Sequence, residues 1–282
     1  MTSIWLDRRE SFTSDPFLPG SGYDTVVAGA GLTGLVTALL LARSGQQVLV
    51  LEARYPGAVT TGNTTAKVSL LQGTVLSALA RQYPAKQVRA YVEANQEGQA
   101  WLLRYLQEQG VPFQRRDAYT YAVTAQGSER LREELTAAAT AGLDIDFVGE
   151  PGLPFHVQGA LRLADQAQTN PMDVLDALLA DLRSRGGTVV GGVRLRDVSG
   201  SGTLTVRTDR GNVTANHVVL ATGIPVLDRG LYFAKLKPLR SYAAALSLPA
   251  GLTPPPGMYL SAEEPTHSLR DYEVDGRRLL LV

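Results

Sequence analysis

Cysteine is absent from the 282 residues, and that absence removes several chemistries at once. There is no disulfide, no thiolate nucleophile, no cysteine-ligated zinc or iron–sulfur cluster, and no cysteinyl attachment of a cofactor. A chain without disulfides fits a reducing compartment, so a cytoplasmic protein is expected. Charge of one sign is also lacking, because 27 Lys and Arg face 27 Asp and Glu. Neither nucleic acid nor an anionic membrane is therefore expected as a partner. Histidine is scarce. His156, His217 and His267 show no metal-ligand spacing, and no metal site is expected. No serine sits in a nucleophile-elbow motif, which sets hydrolases aside. Long apolar runs are missing too: the stretch from Leu35 to Ala42 contains Thr37 and is too short to span a bilayer. The opening Met1-Thr2-Ser3-Ile4-Trp5-Leu6-Asp7-Arg8-Arg9-Glu10 lacks the apolar segment of a signal peptide.

What is present centres on residues 24–34. An apolar run, Thr25-Val26-Val27-Ala28, ends in Gly29-Ala30-Gly31-Leu32-Thr33-Gly34. A helical stretch to Ser44 follows, and a second apolar run, Val48 to Leu51, delivers Glu52. This is the layout of a βαβ dinucleotide-binding unit. Gly29 permits a sharp turn out of the strand, Gly31 lets a pyrophosphate approach the backbone, and Gly34 allows close helix–strand packing. The N–H groups of the helix's first turn face the phosphates. Glu52 is placed to accept hydrogen bonds from ribose hydroxyls, which disfavours a 2′-phosphate and hence NADP.

Residues 1–22 form an arm, anchored by Trp5, Leu6, Phe12, Phe17 and Leu18. Residues 23–110 make the first part of the cofactor domain. They include a polar loop from Tyr55 to Lys67, in which Thr61, Gly62, Asn63, Thr64 and Thr65 either line a cofactor or simply cap the next helix. Lys67 is either a solvated surface lysine or, beside a flavin ring, a group favouring its anionic reduced form. The spacing from Pro84 to Gln109 predicts a helix. Residues 111–169 read as a β-rich insertion with strands over 113–123, 145–148 and 155–163 and a helix over 128–141. In it Arg115, Tyr119 and Tyr121 are either ordinary strand residues or groups that hold a carboxylate or line a pocket. Asn170 then caps a helix with Pro171 at its first position, and residues 170–230 return to the cofactor domain. A strand over 188–193 is followed by a hairpin, 204–208 with 212–215, and then by an apolar strand, Val218 to Gly223. Its Ala221-Thr222-Gly223 ending is what two-domain flavoproteins commonly use to bring backbone to their cofactor, which favours FAD over NAD. Residues 231–282 form a second part of the substrate domain, with strands over 242–248, 258–261 and 278–282 separated by Pro254–Gly257 and Asp275-Gly276; Arg240 and Tyr242 are further pocket candidates. The expected fold is α/β: a Rossmann-like FAD-binding domain with an interleaved β-rich (α+β) substrate domain.

Taken together, the first βαβ, the split β-rich insertion and the Ala-Thr-Gly strand resemble FAD-dependent oxidoreductases of the D-amino-acid oxidase and glycine oxidase type. Within that family, Gly62-Asn63-Thr64-Thr65-Ala66-Lys67, Leu163 to Pro171, Leu231 to Leu236 and Trp5-Leu6-Asp7 are similar to the subgroup fused to a C-terminal Rieske iron–sulfur domain. Such a domain needs cysteines, which are absent here. The subgroup tends to carry histidine where Gln72 and Gly223 stand, and its members continue past the point where this chain ends, in Arg277 to Val282. The expectation is a C-terminally shortened chain. In the wider family the further segment supplies a last cofactor-domain strand, a glycine turn near the flavin and often an Arg for a substrate carboxylate.

The resemblance implies oxidation of a small amine or amino acid by hydride transfer to flavin N5, with a separate electron acceptor as a further partner. Gly29, Ala30, Gly31, Leu32, Thr33 and Gly34 would hold the pyrophosphate of FAD, and Glu52 the AMP ribose. Ala53, Arg54 and Val193 would border the adenosine end. Thr61 to Lys67 and Ala221-Thr222-Gly223 would approach the pyrophosphate and ring. Catalytic candidates are Lys67, Tyr119, Tyr121, Arg240 and Tyr242. Two other readings stand beside this one: a non-catalytic dinucleotide-binding fragment, and an NAD-dependent dehydrogenase.

Overall fold

A computed structural model describes residues 2–7, 11–227, 230–237, 239–249, 251–274 and 276–282. Met1, Arg8, Arg9 and Glu10 of the opening stretch, and Asp275 of the expected turn, lie outside these. In chain order the elements begin with β1 (Gly22–Ala28), α1 (Leu32–Arg43), β2 (Val48–Glu52), β3 (Lys67–Val68), α2 (Val75–Ala80) and α3 (Ala85–Glu108). Next come β4 (Phe113–Ala122), α4 (Ala125–Ala141), β5 (Asp146–Val148), β6 (Gly159–Thr169) and α5 (Pro171–Ser184). The remainder are β7 (Thr188–Gly191), β8 (Leu195–Ser199), β9 (Leu204–Thr208), β10 (Gly211–Leu220), β11 (Ala245–Ser247), β12 (Met258–Ser261), β13 (Ser268–Val274) and β14 (Arg277–Leu281).

The chain divides into two units, Met1–Thr64 with Asn170–Arg240, and Thr65–Thr169 with Ser241–Val282. The expected boundaries at 110/111 and 230/231 therefore move to 64/65 and 240/241. The first shift has a packing cause: Val88 and Val92 of α3 are buried with Leu131 and Ala138 of α4 and Leu161 of β6, so α3 belongs with the second unit.

The first unit is built on a sheet of order β7-β2-β1-β10-β9-β8. β1, β2, β7 and β10 run parallel, while β10, β9 and β8 form an antiparallel meander. The parallel strands are near-continuous apolar runs because both faces are covered: Val26, Val27, Val50 and Val189 are fully buried. On α1, Leu35, Ala38, Leu39 and Ala42 fall on one face and are buried. Asn170 accepts from the Met172 N–H at 3.0 Å, so it caps α5 with Pro171 at the first position. Arg43 ties the two helices together through Asp181 at 2.7 Å. The arm lies along β7, where the Asp15 N–H donates to the Val189 carbonyl at 3.0 Å and Asp15 Oδ2 accepts from the Val189 N–H at 2.7 Å. This covers the outer edge of the sheet. Trp5 is buried and donates to the Thr64 carbonyl at 2.7 Å.

Two expectations change here. The hairpin strand over 212–215 and the apolar strand from 218 are one strand, β10, because its backbone keeps one register against β1 on both sides of the expected break, at Ala215 and at His217. β8 was not expected. A register shift between Leu195 and Asp197 breaks the two-residue alternation that would have revealed it.

The second unit holds a sheet of order β11-β14-β13-β12-β4-β6-β3, with β5 also paired to β6. Its core includes Leu71, Leu76, Leu131, Leu161 and Met258. Glu134, 1% exposed, accepts from the Leu76 and Ser77 N–H groups at 3.0 and 2.7 Å and so caps α2. β6 continues to Thr169, six residues beyond the expected end at Leu163, with Asp165 at φ 55° interrupting its alternation. β13 was not expected because its one buried side chain is charged, Arg270. Among the described residues no helix is long and apolar enough to cross a membrane.

Candidate cofactor-binding site

At the C-terminal end of β1 the chain turns through Gly29, at φ 109°. A Cβ there would collide with the Ala221 carbonyl oxygen, and a Cβ at Gly34 with the Gly29 carbonyl oxygen. The end of β10 thus crosses directly behind the first glycine, and Ala221 N–H donates to the Ala28 carbonyl at 2.8 Å. Gly31 caps α1 without a side-chain hydrogen bond, and the first turn of α1 carries no acid. This cradle, a turn closed to side chains at Gly29 and Gly34 that leads into a helix N-terminus carrying no acid, fits a pyrophosphate.

The Glu52 carboxylate lies at the same end of the sheet. Its Oε2 accepts from the Ala30 N–H at 2.9 Å and its Oε1 from the Arg54 N–H at 2.9 Å. Each oxygen keeps a second lone pair, which suits ribose hydroxyls. Ala53 lies between these two anchored residues. The Arg54 carbonyl accepts from the Gly192 N–H, and the Glu52 carbonyl from the Val193 N–H, both at 2.9 Å. Val193 is itself fully buried.

The polar loop folds back on the cradle. Gly57 N–H donates to the Ala30 carbonyl at 3.1 Å, Gly62 N–H to the Gly57 carbonyl at 2.9 Å, and Leu32 N–H to Thr61 Oγ1 at 3.2 Å. Residues Thr61–Asn63 form a short 3-10 turn, and the Asn63 side chain donates to the Val59 carbonyl at 2.6 Å. Thr33 accepts from the Thr37 hydroxyl through its carbonyl at 2.8 Å. After β10, Thr222 donates its hydroxyl proton to the Ile224 carbonyl, and Gly223 sits at φ 74°.

The structure thus brings Gly29, Ala30, Gly31, Leu32, Glu52, Arg54, Thr61, Val193 and Ala221 to one end of the first unit. The family model described as DAO, FAD dependent oxidoreductase, matches residues 24–277. The chain belongs to this family. Its members are FAD-dependent, which displaces the NAD dehydrogenase reading. The chain is 29% identical over 262 residues to YhfW of Bacillus subtilis (strain 168), which is named as a Rieske 2Fe-2S iron-sulfur protein; the match covers 92% of this chain and 51% of that one. It spans about half the length of this curated relative. Among solved structures it is similar to L-proline dehydrogenase from P. horikoshii, with TM-score 0.70, 16% identity, and 94% of this chain and 70% of that one covered. It is also similar to glycine oxidase from Geobacillus kaustophilus, with TM-score 0.65, 19% identity, and 93% and 70% covered. At these identities the likeness is one of fold.

The remaining candidates lie elsewhere. Arg240 is exposed at the end of the first unit, and Tyr242, in the second, is 90% exposed. Tyr119 stacks on Tyr259 with ring centroids 4.8 Å apart, and buried Tyr121 meets Phe155 edge-on at 5.7 Å. Burial raises both phenols above their usual pKa. Arg115 is held by Asp165, through its carbonyl at 3.0 Å and its carboxylate at 3.3 Å.

Thr65 and Lys67 belong to the second unit. Lys67 Nζ donates to Thr65 Oγ1 at 3.2 Å and to Ser268 Oγ, 201 residues away. Burial, and then the Arg270 charge, bring its pKa down to about 8. Ser268 and Arg270 escaped the sequence reading. The Ser268-Leu269-Arg270 alternation was a signal, but a charged residue facing inward reverses the usual polarity of a strand.

Proposed function

We propose that the chain acts in FAD-dependent oxidation of a small amine or amino acid. The observation that carries this is the glycine cradle backed by Ala221, with Glu52 at its side, in a chain whose family is FAD-dependent. When bound, FAD would supply the acceptor for a hydride leaving the C–H beside the substrate nitrogen. The chain's own tasks are binding and orientation. Gly29 to Gly34 would seat the pyrophosphate, Glu52 would take the AMP ribose, and Ala53, Arg54 and Val193 would flank the adenosine. Thr61 to Lys67 and Ala221 to Gly223 would run toward the pyrophosphate and ring. Tyr119, Tyr121, Arg240 and Tyr242 remain candidates for the substrate side. The names of the glycine oxidase and proline dehydrogenase neighbours support an amino-acid substrate. The Rieske name of the Bacillus subtilis relative supports a separate iron–sulfur electron acceptor. The cysteine-free sequence suits a reducing cytoplasm.

The test is spectroscopic. The purified or reconstituted protein should be yellow with a flavin spectrum, and an amino acid or amine should bleach it without oxygen. A colourless protein that takes up no FAD would sink the proposal. The coverage of about half of the relative favours one second reading, a FAD-binding unit that works only with a partner. It predicts a yellow protein that no amine or amino acid bleaches.

A further inference from the structure

The edge of a sheet presents unpaired N–H and C=O groups to any passing strand, and folded proteins blunt such edges with charge, a bulge, brevity or a cover. Three of the sheet edges here are blunted. β7 lies under the arm, through the pairing of Asp15 with Val189. β8 carries a register shift between Leu195 and Asp197 and two charged residues, Arg196 and Asp197. At one edge of the second sheet, β3 and β5 are two and three residues long and carry Lys67 and Asp146. The opposite edge, β11, has none of these devices. From Ser241 to Leu248 the sequence reads Ser-Tyr-Ala-Ala-Ala-Leu-Ser-Leu, without a charge or a proline. Every residue from Ser241 to Ser247 is exposed, the large Tyr242 and Leu246 among them. Among the described residues β11 pairs only with β14.

The backbone phase of this edge is fixed. Ala244 and Val282 exchange both of their hydrogen bonds, at 2.9 Å each. In an antiparallel ladder successive residues turn their N–H and C=O groups to opposite sides. Ala244 and Leu246 therefore bond toward β14, while Ala243, Ala245 and Ser247 turn theirs to the open side. The side chains of Tyr242, Ala244 and Leu246 fall on one face. A neutral strand has no charge with which to select a foreign partner and none to repel its own copy. Identical strands that pair antiparallel are related by a two-fold axis, which uses the edge once and leaves none open. One register brings the outward groups of Ala243 to those of Ala245 with the axis at Ala244. It also sets Tyr242 against Leu246 of the second copy, twice, and such aromatic–aliphatic pairs across strands are stabilising. We propose that the chain forms a two-fold dimer by antiparallel pairing of β11 with β11 of a second copy, centred on Ala244, so that the sheet of the second unit runs on through both copies.

Sedimentation of the full chain tests this. At about 100 μM, well above a micromolar Kd, the mass should be twice the 30.2 kDa of one copy and fall toward one copy on dilution. Ala244→Lys and Ala244→Glu each set like charges directly opposite one another. Each should be monomeric alone, and the two should form a dimer when mixed. Ala245→Pro removes an outward N–H but no bond to β14, and should weaken the dimer at least tenfold. All three positions are exposed, and an unchanged melting transition checks the fold. The absence of cysteine allows a direct probe of the register. Residues opposite each other in a non-hydrogen-bonded pair lie within disulfide distance. Ala244→Cys should therefore link two copies under mild oxidation, and exposed Ser199→Cys on the β8 edge should not. A monomer at every concentration, a dimer that survives both Ala244→Lys and Ala245→Pro, or a dimer in which Ala244→Cys forms no disulfide would overturn the inference.

Discussion

The two units present their candidate sites by opposite means. In the first, the cradle is made of backbone and of missing side chains: glycines that cannot carry a Cβ, N–H groups at a helix start, and one carboxylate held by two amides. In the second, the candidate Lys67 is held by long-range side-chain bonds: it donates to Ser268 of β13, and Arg270 of the same strand donates to the Ala66 carbonyl beside it. The backbone site tolerates almost no substitution at Gly29 and Gly34, yet its geometry is fixed by the sheet. A side-chain site can be retuned one residue at a time, but each change acts on the bonded neighbours.

The comparison is sharpest where it predicts the greatest loss. Gly34→Val should destabilise the first unit by about 3 kcal/mol, because the new side chain must displace the Gly29 carbonyl. Flavin content, read by absorbance, should fall to background; retention of FAD would break the contrast. Glu52→Gln keeps the shape but leaves one N–H facing an amide NH2. It should weaken FAD binding about tenfold, the equivalent of ~1.4 kcal/mol, measured by fluorescence titration.

A pH experiment addresses the second unit. The folded Lys67 pKa of about 8 lies below its ordinary 10.5. Between these values the unfolded chain binds the extra proton, so stability should rise as pH increases through that window. Below pH 8 both states are protonated, and the full cost of the buried charge is present. Melting temperature followed from pH 7.5 to 10, about the span of that shift, should climb more in the native chain than in Lys67→Met. Identical slopes would overturn the burial of Lys67. The smallest effect is a control: Asn170→Ala should cost about 1 kcal/mol in denaturant unfolding and leave FAD affinity unchanged.

The contrast also explains what was legible in the sequence. Gly29, Gly31, Gly34, Glu52 and the Asn170-Pro171 cap are local signals, because turn, cap and strand-end chemistry act over a few residues. The α1, α3 and α5 helices follow from apolar spacing for the same reason. The strand β8 did not, since its bulge breaks the alternation. The placement of α3 in the second unit depends on contacts with α4 and β6, which no local pattern encodes. Lys67 was visible as a lone cation in a polar loop. Its partners were not: Ser268 is 201 residues away, and Arg270 is a buried charge at a position where a strand pattern calls for an apolar residue.

One strand sets a further constraint. β10 keeps a single register against β1 from Gly22↔Thr214 to Ala28↔Leu220, and its first half is also zipped to β9. The meander turn and the floor beneath Gly29 are therefore two ends of one ruler. Adding or deleting one residue between 211 and 220 would invert the facing of every side chain beyond it and carry Ala221 away from the glycine it backs. Length variation in this family member should accordingly collect in the turns that flank β10, with its ten-residue span left constant.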